Sequence, residues 1–98
     1  MAPSIRLYVI YVYHFTLATT GNQTINKPVG TVNFAAGTSS LTLTNSLITA
    51  NSIIFCVVRT NDATALDCRV TGAGAGSATV RLNANATAET SVGFLVTN

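Results

Sequence analysis

The sequence predicts an all-β fold, a small β-sandwich or barrel of about seven short antiparallel strands. Three observations carry this expectation. Apolar residues recur at every second position through most of the chain, which is the period of a strand. The segments defined this way are short and are separated by clusters of Gly, Asn, Asp, Ser and Thr, the residues that turn a chain. Residues 52–59, reading S-I-I-F-C-V-V-R, hold an unbroken apolar run of mostly β-branched and aromatic residues, which suits a strand better than a short helix.

Taken in order, residues 7–16 form the first candidate strand. Leu7, Val9, Tyr11 and Tyr13 share one face, and Tyr8, Ile10, Val12 and His14 share the other. Both faces are apolar or aromatic, so this segment reads either as an arm laid on a neighbour or as an ordinary terminal strand. Its tyrosines and His14 are poor in a signal-peptide core, and it is too short to span a membrane as a helix. Residues 1–18 are accordingly set apart as an N-terminal strand or arm, and residues 19–98 as the sandwich domain. Residues 18–28 read as loop, punctuated by Asn26 and Pro28.

Residues 30–35 alternate cleanly, with Val32 and Phe34 on one face. Residues 40–45 do the same with Leu41 and Leu43, and the two segments together suggest a hairpin. In 52–59, Ile53, Phe55 and Val57 oppose Ile54, Cys56 and Val58. Apolar residues on both faces predict a central strand covered on both sides, with Phe34, Phe55 and Phe94 in the core. Residues 66–71 place Leu66, Cys68 and Val70 opposite Asp67 and Arg69. The Gly72-Ala73-Gly74-Ala75-Gly76-Ser77 stretch reads as a hairpin loop, since it lacks the Lys and Ser/Thr of a phosphate loop. Residues 78–84 and 91–97 complete the set, and Gly93 reads as a bulge or a place where another backbone comes close.

Composition narrows the function. The 98 residues make a single domain. Only 8% are charged, against about 25% in typical domains, while 48% are hydrophobic. Much of the surface is therefore neutral and rich in hydroxyls and amides, a surface suited to burial in an assembly. A net charge of +2 without any Lys/Arg cluster predicts no nucleic-acid partner, and no membrane partner is expected.

The residues for catalysis or metal binding are scarce. There is one histidine, His14, and three acids, Asp62, Asp67 and Glu89. His14 lies far in sequence from any acid, and acid–base chemistry needs paired groups. Asp62 is expected to bond its own turn, and Asp67 and Arg69 to form an exposed pair of little value. Cys56 and Cys68 are read as small buried hydrophobes, with a disulfide as the alternative. One His and two separated Cys do not make a zinc site. The expectation is no enzyme, no catalytic, cofactor-binding or metal-binding residues, and no cofactor.

The phrases T-G-N-Q-T-I-N-K-P-V-G-T-V-N-F-A-A-G (20–37), T-N-S-L-I-T-A-N-S-I-I-F (44–55), R-T-N-D-A-T-A (59–65) and A-T-A-E-T-S-V-G-F-L-V (86–96) resemble small structural proteins of tailed bacteriophages and prophages. The resemblance implies a capsid decoration (cement) protein on the virion surface. Its partner would be the major capsid protein, and it would be a homo-oligomer, trimer or dimer. The alternative within the same resemblance is a tail or fibre β domain that recognises a host. A cell-surface or pilus-type subunit is suggested by the signal-like start alone.

Overall fold

The computed structural model describes residues 19–98. The arm reading of residues 1–18, the first candidate strand and His14 lie outside the described residues. The remainder is all β, with no helix among the described residues: β1 (Gln23–Thr24), β2 (Val29–Phe34), β3 (Ser40–Thr44), β4 (Ile53–Val58), β5 (Cys68–Gly74), β6 (Ser77–Leu82) and β7 (Thr90–Thr97). They form two sheets, one of order β1-β3-β6-β5 and one of order β2-β7-β4, called here the four-stranded and three-stranded sheets. The two stack as a sandwich and do not close into a barrel. Every pairing is antiparallel except β1 with β3, which is parallel. β1 lies in the stretch 18–28 whose composition predicts loop. Two residues are too few to show a period.

The core lies between the sheets. Val32 and Phe34 of β2 and Val92, Phe94 and Val96 of β7 face Leu41 and Leu43 of β3 and Ala78, Val80 and Leu82 of β6. Ile48, Ala65 and Ala86 come in from the connections. Phe34 and Phe94 are thus core residues, as expected. Phe94 is accommodated by its cross-strand partner Gly30. A Cβ there would stand 2.8 Å from two ring carbons of Phe94, so the absent side chain is what lets the ring lie flat against β2.

Two expectations are corrected. Residues 30–35 and 40–45 are not a hairpin: β2 pairs with β7, and β3 pairs with β6 and β1. Each presents one apolar face, and two such strands satisfy that pattern equally well from opposite sides of a sandwich. Nor is β4 a central strand. Among the described residues it is the border strand of the three-stranded sheet. Its Ile54, Cys56 and Val58 pack against the core, but Ile53, Phe55 and Val57 point outward and are exposed. Phe55 is therefore a surface residue and not a core one. An apolar periodicity reports what a face is made of, and not whether this chain covers it.

The glycine stretch is a hairpin, as expected, and the single one between consecutive strands of one sheet among the described residues. β5 runs through Gly74, shifts register between Thr71 and Gly74, and meets β6 at Ser77. Gly76 has φ +82, a conformation open to glycine at little cost.

Every other connection crosses between sheets, and asparagine side chains hold these crossings by substituting for missing backbone partners. The Asn83 side-chain carbonyl accepts from the amides of Leu66 and Asp67 at 2.8 and 3.0 Å, while its amide nitrogen donates to Thr64 O at 3.0 Å. Fully buried Asn45 donates to Lys27 O at 2.7 Å and accepts from Leu47 N at 2.9 Å. Asn22 and Asn26 accept from Thr42 N and Ser46 N at 2.8 and 2.9 Å. The asparagine-rich composition thus has a structural use.

The contact between Gly30 and Phe94 is testable. Gly30→Ala is expected to lower unfolding stability by about 1–3 kcal/mol, the range for overpacking a filled core. Gly74→Ala, where an added Cβ meets nothing within 4 Å, should change it by less than about 0.5 kcal/mol. Urea unfolding of the two variants checks both.

Candidate functional site: the outer face of the three-stranded sheet

Seven large hydrophobic side chains are exposed among the described residues, and five of them lie on one surface: Val29, Ile53, Phe55, Val57 and Leu95, between 40 and 62% exposed. The register shows why they meet. Val29 pairs with Leu95, which pairs with Phe55, making an apolar row across three strands. In the next row Thr31, Gly93 and Val57 lie side by side, and Ile53 extends the surface along β4. A contiguous apolar patch of this kind marks an interaction surface more often than a single exposed residue does.

Gly93 borders a hollow in this surface. It is the outward position of the middle strand, and beside it lies a depression of about 360 Å³ walled by Val29, Phe55, Val57 and Leu95. Among the described residues the groups that approach Gly93 closely are side chains and not another backbone. A Cβ on Gly93 would lie 3.3 Å from Cδ of Arg59 and 3.6 Å from Cγ1 of Val57. Arg59 follows β4 directly. It runs its aliphatic stem over Gly93, and its Nη1 donates to Thr31 Oγ1 of β2 at 3.0 Å. One arginine thus spans all three strands and holds its guanidinium at the rim of an apolar hollow. Its own backbone is fixed by a 2.7 Å bond from Arg59 N to Ser91 O.

The border of β4 adds a second feature. That bond between Arg59 and Ser91 sets the phase of the antiparallel ladder, in which alternate residues turn their backbone groups away from the partner. Ile54, Cys56 and Val58 therefore present N–H and C=O groups at a border that no strand among the described residues covers. Such a border is a template for strand addition unless something protects it.

The other outer face is chemically opposite. On the four-stranded sheet Ser40, Arg81 and Arg69 form one cross-strand row, and Thr42, Thr79 and Thr71 the next. The two arginines are direct neighbours and both are exposed, an arrangement of like charges that costs stability.

The titratable residues singled out from the sequence take structural places. Asp62 is buried and bonds its own turn as expected, accepting from Thr64 N and Ala65 N at 3.0 and 2.9 Å. It also reaches across to the other crossing, accepting from the Thr87 hydroxyl at 2.7 Å and from the amides of Thr87 and Ala88 at 3.1 Å. The amide of Ala65, then the Thr87 hydroxyl, then the amide of Thr64 hold its carboxyl well below the usual carboxylate range, against the opposing effect of burial. A carboxylate so saturated with donors is a poor base. Asp67 and Arg69 do not form the expected pair. Among the described residues no cationic nitrogen lies within 4.0 Å of a carboxylate oxygen. Glu89 sits in the crossing before β7.

Cys56 and Cys68 are both free thiols and only half-buried. They project from the border strands of opposite sheets, not from a hairpin. Burial pushes the Cys68 thiol up to about 12, with the neighbouring Cys56 thiol adding to the effect, so it carries little thiolate for reaction. Among the described residues no three His, Cys, Asp or Glu side chains gather where they could hold a metal ion.

Sequence reasoning missed this surface because it treated the 52–59 run as covered. The signal was present in Gly93, Arg59 and the doubly apolar alternation, but only the register brings the three together. Comparison with protein-family models, curated proteins and solved structures finds no match.

The state of Asp62 gives a pH dependence. Its folded carboxyl binds a proton less readily than the unfolded one, whose value is about 4. Its contribution is therefore complete above that pH and is lost as pH falls through the lower folded value. Urea midpoints measured from pH 6 down to pH 2 should decline below about pH 4. Asp62→Asn should unfold at lower urea near neutrality and show a shallower acid decline.

Proposed function

We propose that this chain is a structural assembly protein, a bacteriophage capsid decoration (cement) protein that binds and stabilises the major capsid protein shell through the outer face of its three-stranded sheet. The observation that carries the reading is the contiguous apolar surface of Val29, Ile53, Phe55, Val57 and Leu95 on a small β-sandwich. Covering such a surface removes apolar area from water at a gain of about 25 cal/mol per Å². The scarcity of charge, 8% of residues, fits a protein packed against many copies of itself or of a shell subunit, where like charges repel. The resemblance of the strand-and-turn phrases to small phage structural proteins supplies the particle, and homo-oligomerisation as a trimer or dimer belongs to the same proposal.

The second reading is a tail or fibre domain that recognises a host surface. What favours it is the opposite face of the sandwich, where the hydroxyls of Ser40, Thr42, Thr71 and Thr79 stand beside Arg69 and Arg81, chemistry suited to a saccharide.

Phe55 separates the two. Phe55→Ser removes an exposed ring and should leave the fold intact by circular dichroism. It is expected to lower binding to phage heads stripped of this protein by at least about tenfold, the cost of losing an aromatic anchor of roughly 1.4 kcal/mol or more. Unchanged head binding by Phe55→Ser, or selective glycan binding lost in Arg69→Ala, would move the function to the other face.

A further inference from the structure

We propose that the hollow above Gly93 is the anchoring pocket of this docking face. It receives an apolar side chain next to a carboxylate on a segment of the partner protein, and the carboxylate pairs with Arg59. The inference rests on the reading of this face as a docking surface and adds the chemistry of what docks there.

Two features of the hollow are complementary. Its walls, Val29, Phe55, Val57 and Leu95, are apolar, and its volume of about 360 Å³ falls in the lower range of ligand pockets, which run from about 300 to 1,000 Å³. At its rim stands a guanidinium that is already positioned. The stem of Arg59 lies on Gly93 and one nitrogen is held by Thr31. A guanidinium has five N–H donors in a planar fork, so one bond to a hydroxyl leaves most of them for a ligand. Ordering an arginine normally costs side-chain entropy. Here that cost is met before any ligand arrives.

No carboxylate of this chain serves Arg59. Asp62 is saturated by its own loops. Asp67 precedes β5 in the other sheet, and Glu89 lies in the crossing before β7; among the described residues neither is within 4.0 Å of a cationic group. Residues 1–18, the chain's other apolar segment, contain no Asp or Glu at all. Own-chain coverage would leave the guanidinium uncompensated against an apolar cover, which is costly. An acid-bearing partner segment satisfies both parts of the pocket, and the pairing gains strength as the apolar walls exclude water.

Small probes test this on the isolated full-length chain. Hexanoate, hexan-1-ol and acetate are titrated into isotope-labelled protein while backbone amide shifts are followed by NMR. Hexanoate is expected to shift the amides of Thr31, Val57, Arg59, Gly93 and Leu95 saturably. Hexan-1-ol should bind the same amides about fivefold more weakly, the weight of one partly exposed ion pair, and acetate should not saturate. Arg59→Gln, which removes the charge and keeps a polar side chain, should bring hexanoate down to the alcohol's affinity. Equal affinity for hexanoate and hexan-1-ol in the unmodified protein would overturn the proposal. So would shifts centred on Arg69 and Arg81, or no saturable shift, which would mean that residues 7–15 or a second copy already fill the hollow. Stripped heads that bind Arg59→Gln as well as the unmodified chain, but reject Phe55→Ser, would overturn the carboxylate and leave the docking surface standing. The expected hexanoate pattern together with head binding indifferent to Phe55 would instead overturn the capsid reading alone.

Discussion

One buried carboxylate ties together two of the crossings between the sheets. Asp62 accepts hydrogen bonds from its own turn and from Thr87 and Ala88, twenty-five and twenty-six residues further along. These two segments are the crossing from β4 to β5 and the crossing from β6 to β7. Each carries the chain from one sheet to the other, and neither has a ladder of its own to satisfy its amides. Asp62 supplies both. Beside it Asn83 does the same for Leu66, Asp67 and Thr64. With nearly every connection passing between sheets, the sandwich is held at this end by two side chains more than by any hairpin.

The consequence reaches the proposed docking surface. β4 and β7 emerge from these two crossings and lie next to each other, with Arg59 N bonded to Ser91 O and Ser91 N to Thr60 Oγ1. The pinned crossings set their register, and the register places Val57 beside Gly93 and Phe55 beside Leu95. A slip of one residue would invert every side chain on β4. The apolar outer row, the hollow at Gly93 and the path of Arg59 over it all follow from that alignment. Apolar residues unfavourable on a free surface stand there, while the core draws on the alternate positions of the same strands.

Much of this fold was legible in the sequence. Val32, Phe34, Leu41, Leu43, Val80, Leu82, Val92 and Phe94 announced their strands by alternation, and all are buried. What alternation does not encode is partnership. β2 and β3 read as a hairpin because they are close in sequence and both half-apolar, yet they belong to different sheets. β4 read as central because both of its faces are apolar, yet one is left uncovered by the described residues. Asp62 was legible as a turn former, but its bonds to Thr87 and Ala88 were not, because no local pattern links residues so far apart. Arg59 and Gly93 look unrelated in the sequence and become one feature only when two strands are set side by side.

The central proposal is that a partner covers the outer face of the three-stranded sheet in an assembled particle. The most direct measurement is hydroxyl-radical footprinting by mass spectrometry, comparing the free protein with the same chain in assembled particles. Oxidation of Phe55, Val57 and Leu95 should fall sharply on assembly, while Thr42 and Arg81 on the opposite face stay as reactive as before. Equal oxidation of Phe55 in both states, with protection appearing around Arg81 instead, would contradict the account.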